Sequence, residues 1–310
     1  MKCLIANRRK YSSGFTLVEL VAVIIIVSIV GLGIGNFVST STQIYVDSAE
    51  REEVIGSSRF IVERLNREIR YALPNSIRVA AHQEAGITVS HCLEFTPIQW
   101  STFYMDLPVV SADATDTIQG PEMIGTLVAD SYDRDSADNH FVVVYPTDAE
   151  QVYSAITTDG TGRRVGLSSV SDAVDGLVTV VFDEDMIFEE ESSVGRFYIV
   201  EQPISYCYRS ATGQLTRHTN YGFLENQTAD VIDGAITVSG NPSAEVVLMA
   251  EYMVNELSDD PTDTDSNQGD PFRIAEASLT RNAIVHTLLV FEQFGEKAIF
   301  NNEIHLRNAP

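Results

Sequence analysis

Positive charge is what this chain has least of. Its 310 residues carry 20 Lys and Arg against 44 Asp and Glu, a formal charge of −24. Recognition of a phosphate backbone needs a basic face, so the composition rules strongly against nucleic-acid binding and against adhesion to anionic lipid. Cysteine is also scarce: Cys3, Cys92 and Cys207 are the only three, and no Cys-x-x-Cys pair occurs. The chain contains no nucleophile elbow, phosphate loop or His-Glu-x-x-His. Its six histidines (His82, His91, His140, His218, His286 and His305) stand singly. A lone histidine on a strand is far more often an ordinary hydrogen-bonded residue than a ligand. No catalytic residue is assigned, and the chain reads as a non-enzyme.

What is present is concentrated at the N-terminus. Lys2, Arg8, Arg9 and Lys10 precede an apolar run from Phe15 to Val38 whose only charge is Glu19. At ~1.5 Å per helical residue such a run spans a bilayer core of ~30 Å. No Ala-x-Ala follows it before the polar Ser39-Thr40-Ser41-Thr42, so an ordinary secretory cleavage site is missing. Basic residues before the run and acidic ones after it put the leader in the cytoplasm and everything beyond Val38 across the membrane, by the positive-inside rule. An ionised carboxylate near one end of a membrane helix costs several kcal/mol unless paired, so Glu19 implies a partner. The alternative is a plain signal anchor with Glu19 at the interface.

Gly14-Phe15-Thr16-Leu17-Val18-Glu19 resembles the class III leader of type IV pilins and type II secretion pseudopilins. The resemblance implies that a prepilin peptidase cuts after Gly14 and that Phe15 becomes the methylated N-terminus. It also implies that Glu19 meets the Phe15 amine of a neighbouring subunit in a filament. Cys3 is then lost with the leader. So are its four basic residues, leaving 16 against 44 acidic and a formal charge of −28. Cys92 and Cys207 remain, and in an oxidising compartment they form either one disulfide across a sheet or two buried free thiols.

Past the membrane run the helical pattern continues to Pro74. Val54, Ile61, Leu65, Ile69 and Leu73 recur at helical intervals, with Arg59–Glu63, Glu63–Arg67 and Arg64–Glu68 four apart on other faces. One helix is expected from Phe15 to Leu73, loosened at Gly31, Gly33 and Gly35, where each glycine lowers propensity by ~1 kcal/mol. From Ile77 the period changes, and β-rich runs are expected at residues 86–90, 92–96, 141–145, 177–182, 196–200, 204–208, 246–254, 284–292 and 297–306. Ser210-Ala211-Thr212-Gly213 reads as a hairpin turn, as does Phe294-Gly295-Glu296. The expected fold is α+β: a long N-terminal helix packed on a mainly antiparallel sheet. Its segments are a leader (1–14), a membrane or filament-core helix (15–38), an amphipathic extension (39–73) and a β-rich periplasmic domain (74–310).

Val62 to Ala72, followed by Pro74 to Val79, is similar to the larger minor pilins and J-type pseudopilins. Ala283 to Val290 and Glu303 to Pro310 resemble the O-type minor pilin of the mannose-sensitive haemagglutinin pilus. The resemblance implies major and minor pilins, the prepilin peptidase and an inner-membrane assembly platform as partners. A membrane-tethered periplasmic binding module is the reading from a different class.

Two acidic clusters complete the inventory. Asp259 to Asp270 concentrates hard oxygen ligands, with Asp263, Asp265 and Asp270 as candidate calcium ligands. It is not an EF-hand: counted from Asp263 the glycine comes one place late, and Ile274 stands where the bidentate glutamate belongs. The other account is a solvated acidic loop. Asp130, Asp133, Asp135, Asp138 and Asn139 form a similar group.

Overall fold

The computed structural model describes residues 15–109, 113–123, 132–134, 139–154, 160–227, 244–263, 268–275, 283–293 and 295–306. Gly14, Asp130, Asp135, Asp138 and Asp265 lie outside these residues, as does the side chain of Val54. The chain divides into two units, Met1–Glu53 and Val54–Pro310.

Helix α1 (Leu17–Ile69) is 53 residues long. It passes Gly31, Gly33 and Gly35 without a break, so the expected loosening is absent. The i→i−4 ladder needs no side chain, and once flanking turns are formed each added residue costs little, so cooperativity carries the glycines. The helix stops four residues short of Leu73. The N–H groups of Tyr71 and Ala72 donate to the Glu68 and Ile69 carbonyls at 3.1 Å, tightening the last turn. The N–H of Leu73 turns away to the Thr96 carbonyl at 2.8 Å, and Pro74 has no N–H with which to resume.

Fifteen strands and one short helix follow among the described residues: β1 (Arg78–Glu84), β2 (Ile87–Phe95), β3 (Ile98–Phe103), β4 (Thr115–Pro121), β5 (Phe141–Val144), α2 (Ala149–Tyr153), β6 (Thr161–Gly162), β7 (Arg164–Val170), β8 (Leu177–Phe188), β9 (Arg196–Val200), β10 (Ile204–Arg209), β11 (Gln214–Thr219), β12 (Glu245–Ala250), β13 (Phe272–Ala275), β14 (Ile284–Gln293) and β15 (Glu296–His305). They form a five-stranded sheet in the order β1-β2-β10-β11-β12, a three-stranded sheet β13-β14-β15, and a seven-stranded sheet β3-β9-β5-β7-β8-β4 with β6 beside β8. The β6–β8 pair is parallel, while every other strand pair is antiparallel. Residues 86–90 and 92–96 are one strand, not two, because His91 stays in register opposite Ala81 and Tyr208. Both expected hairpins form. Gly213 and Gly295 sit at φ 64° and 82°, a region that glycine enters without steric cost.

The C-terminal turns of α1 supply the main core. Ile61, Leu65, Ile69 and Ala72 pack with Leu93, Phe95, Tyr206 and Leu215 of the five-stranded sheet and with Phe272, Val285, Leu289 and Ile304 of the three-stranded one. Burying each Ile, Leu, Val or Phe side chain among them contributes ~1.5–3 kcal/mol relative to leaving it in water. Of the three charge pairs spaced four apart on this helix, Arg64–Glu68 closes at 2.9 Å. Glu68 also accepts from the Tyr206 hydroxyl at 2.8 Å and from Arg217 at 3.1 Å. Helix and sheet are therefore pinned by charge as well as by apolar contact. Burial pushes the Glu68 carboxyl up, but the Arg64, Tyr206 and Arg217 contacts outweigh it and hold the group below the usual carboxylate range.

The seven-stranded sheet is inserted between β2 and β10. Phe95 pairs with Ile204, and past a short interruption Ile98 pairs with Val200. The two ladders thus follow one another along the same pair of chains. The interruption is written in the sequence: Pro97 on one chain and Pro203 on the other both fall between the two ladders, and neither has an N–H to donate. The Glu201 N–H donates to the Pro97 carbonyl at 3.0 Å and holds the gap closed. Within the insert the sheet curls until its edges meet, with the Met105 N–H donating to the Gln119 carbonyl at 2.8 Å. A Cβ at Gly120 would lie 2.6 Å from the Phe103 carbonyl oxygen, so this close approach of β4 to β3 requires glycine. Val142, Val165, Val180, Phe182, Phe188 and Phe197 fill the interior.

A third cluster seats the insert on the end of α1. Leu73 packs with Val143, Val152, Tyr153, Tyr198 and Val200. The Tyr153 hydroxyl donates to the Ser76 carbonyl at 2.9 Å, and Asn75 Nδ2 donates to the Pro146 carbonyl at 2.9 Å. The Arg78 guanidinium lies 3.7 Å from the Tyr153 ring centroid.

Candidate functional site

The first turn of α1 is built by its own side chains. Thr16 stands at the N-cap position: its Oγ1 accepts from the Glu19 N–H at 3.3 Å, and its carbonyl accepts from the Leu20 N–H at 3.2 Å. Thr16-Leu17-Val18-Glu19 therefore has the spacing of a capping box, in which the cap oxygen satisfies an orphan donor of the first turn. A carboxylate in that turn is also favoured by the helix dipole. Glu19 thus has a local reason to stand there besides a partner outside the chain, and Thr-x-x-Glu is the sequence signal for it.

From Phe15 to Ala49 the chain is exposed throughout; Phe15 is 80% accessible, and Leu17, Ile25, Val27, Leu32 and Phe37 are likewise open. The segment Leu17–Glu52 is long and apolar enough to cross a membrane. Two polar side chains within this stretch are turned onto the helix itself. The Ser28 hydroxyl donates to the Ile24 carbonyl at 2.7 Å and the Thr42 hydroxyl to the Val38 carbonyl at 2.8 Å, which spares them an unmet hydrogen bond in an apolar setting.

Cys92 and Cys207 face each other directly across β2 and β10, with a Cα separation of 4.1 Å, and are joined as a disulfide. Tyr221 and Leu224 cover the bond. Two residues along β2, Glu94 is fully buried. It accepts from Arg78 Nε at 2.5 Å and from the Tyr221 hydroxyl at 2.5 Å, while Arg78 also donates to the Leu224 and Glu225 carbonyls. Burial pushes the Glu94 carboxyl up, against the pull of Arg78 and Tyr221. These groups bind the segment after β11 over the disulfide. Glu94 is the one acidic residue of β2, which is the visible signal in the sequence, and neither Arg78 nor Tyr221 is legible there as its partner.

Of the candidate calcium ligands, Asp263 and Asp270 are described, and they have different surroundings. Asp270 is 1% exposed and directed inward, where its carboxylate accepts from the Ser258 N–H at 2.7 Å and from the Ser258 hydroxyl at 2.5 Å. Asp263 is exposed, and its N–H donates to the Asp260 carbonyl. Asp259 accepts from the Thr88 hydroxyl at 2.7 Å, and Asp260 from Thr262. Among the described residues no group of three or more His, Cys, Asp or Glu gathers as a metal would require. On the insert, a cleft of about 420 Å³ has Leu107, Pro108 and Ile118 buried or half-buried beneath exposed Met105, Asp106 and Asp113. No chemistry is assigned to it.

Residues 9–35 match the prokaryotic N-terminal methylation motif. The match supports a type IV pilin-like or pseudopilin N-terminus of the kind processed by prepilin peptidase, with other pilins as partners. It leaves the folded domain unmatched. No curated protein and no solved structure matches the chain.

Proposed function

We propose that this chain is a minor pilin: a structural, non-enzymatic subunit cut after Gly14 and methylated on Phe15. In this reading it is held in the inner membrane by a single helix, with its folded domain in the periplasm, until it joins or primes the tip of a type IV pilus. The O-type minor pilin of the mannose-sensitive haemagglutinin pilus is the specific role favoured, and a J-type pseudopilin of type II secretion is the nearest alternative within the class. The observation that carries the reading is the coincidence of the methylation motif over residues 9–35 with an apolar stretch from Phe15 to Val46 that stands exposed and finds no cover among the described residues. Such a surface needs lipid before assembly and neighbouring helices after it. Glu19 would then be paired with the amine of an adjacent subunit. The bulk of the inserted sheet supports a tip position, since a repeated shaft leaves little room for so large a domain.

The test is the N-terminus of the native protein. Intact mass measured on membranes should correspond to a chain beginning at N-methylated Phe15. Gly14→Ala, or a bulkier residue, should slow or stop the cut, because the peptidase must fit the backbone closely there. A native chain still beginning at Met1, in cells that process their other pilins, would sink the reading and favour a tethered periplasmic module.

A further inference from the structure

The folded part of α1 exposes one face that the domain does not use. On a helical wheel Arg59, Phe60, Glu63, Arg67 and Arg70 fall within about 100° of one another at about 100° per residue, and Tyr71 continues the face past the helix end. All six are exposed, Phe60 at 55% and Tyr71 at 66%. The opposite face carries Ile61, Leu65 and Ile69 into the core. Arg64, on the flank, is paired with Glu68. Arg59, Arg67 and Arg70 have no ion pair or hydrogen bond among the described residues. This matters in a chain with 44 acidic and 20 basic residues, where a free carboxylate is the easiest partner to find. Arg67 and Arg70 are moreover three apart, a spacing at which like charges repel slightly, and Glu63 is the one carboxylate among the exposed side chains of this face.

We propose that this face of α1 is a docking surface for the carboxylate-rich surface of another subunit of the same filament. The inference rests on the pilin reading and adds to it the side of the domain that is engaged and the chemistry of what meets it. Arginine and aromatic residues are the types that dominate binding energy when desolvated at an interface. Phe60 and Tyr71 supply the apolar anchors, and the guanidinium groups supply planar, bidentate donors for carboxylates. Glu63 stands in the middle of the face, four residues from both Arg59 and Arg67. It suits a partner of mixed charge with a carboxylate excess and opposes a uniformly anionic one such as a phospholipid surface. From Arg59 to Tyr71 the face is about 18 Å long at ~1.5 Å per residue. It is therefore one anchored patch within a larger contact rather than a complete interface.

The experiment uses the full chain in its own cells, with a photoreactive phenylalanine analogue replacing Phe60 or Tyr71 and the cross-linked peptide identified by mass spectrometry. The expected adduct is to a different processed pilin-type subunit, at a segment rich in Asp or Glu. Arg59→Glu/Arg67→Glu/Arg70→Glu should lower its yield about tenfold, as charge reversal at an interface juxtaposes like charges. Lysine in place of the partner's cross-linked carboxylate should restore it. The milder Arg59→Gln/Arg67→Gln/Arg70→Gln should lie between, with an unchanged melting temperature because all three side chains are in solvent. An adduct to a second copy of this chain, an adduct to lipid, or an undiminished yield in the charge-reversed variant would each overturn the proposal. Failure of the pilin reading is distinguished in the same sample, because the chain would then begin at Met1.

Discussion

Glu68 and Glu94 are both drawn into the protein, yet they have opposite acid–base behaviour. Burial raises both, but Glu68 receives hydrogen bonds from Arg64, Tyr206 and Arg217 that more than compensate, whereas Glu94, fully enclosed, is not compensated by Arg78 and Tyr221. The Glu68 contribution is therefore present above the unfolded value of 4.5 and is lost as pH falls through the lower folded value. Glu94 has the reverse sign: its contribution is present below the unfolded value and fades as pH rises through the higher folded value. Glu68→Gln keeps the shape and removes the charge. It should destabilise the protein at pH 7 by ~1 kcal/mol, the low end of the range for disturbing a hydrogen-bonded charge, because Glu68 is half-buried and partly screened by solvent. The difference from the parent chain should shrink as the pH is taken below 4.5 in chemical denaturation. A difference that stays constant with pH would show that the Arg64 and Arg217 pairing contributes no charge-dependent stability.

Among the elements, the C-terminal turns of α1 have the most to hold. Leu65 is 1% exposed and lies in the cluster shared by the five-stranded and the three-stranded sheet. Leu65→Ala leaves a cavity where three elements converge and little can collapse into it, so a loss of ~2–5 kcal/mol is expected. Thermal unfolding of the detergent-solubilised protein measures it, and the membrane half of the helix should remain helical by circular dichroism. The insert depends on a different device. Pro97 and Pro203 fall between the β2–β10 ladder and the β3–β9 ladder, one on each chain, and the chain enters and leaves the insert side by side. The Cys92–Cys207 bond ties these same two strands below the break.

For the molecule as a whole the acidic excess is the dominant electrostatic fact, and the loop from Asp259 to Asp270 is where a bound cation would relieve it. Asp270 is drawn inward onto Ser258 and Asp259 onto Thr88, so these two carboxylates already accept hydrogen bonds from the protein. Millimolar calcium against chelator, at constant ionic strength, should therefore leave the melting temperature of the full chain unchanged. A rise of several degrees that vanishes in Asp263→Ala/Asp265→Ala would make the loop a calcium site instead.

The sequence by itself determined the N-terminal half of the argument. A basic leader, a long apolar run with one carboxylate, and the Gly14–Phe15 and Glu19 spacing are local patterns, and helix, span and motif follow from them without any tertiary contact. The amphipathic extension is equally legible, since its buried stripe repeats at the helical period through Ile61, Leu65 and Ile69. Tertiary structure decided the rest. That strands β3 to β9 form a separate curled sheet depends on β2 pairing with β10 across more than a hundred residues, as Cys92 and Cys207 show at a separation of 115. Such non-local pairing leaves no periodic trace. The strands β3, β4 and β7 are hidden for a related reason: with Ser, Thr, Asp and Gly among their residues, they are strands because neighbours complete their ladders. The helix end belongs with them, as Leu73 carries the right side chain for one more turn while its N–H is taken by Thr96. Hydrogen bonds to distant carbonyls and carboxylates are free-energy terms that a sequence window cannot contain. They set where α1 stops, how each buried glutamate titrates and which arginines are left facing outward.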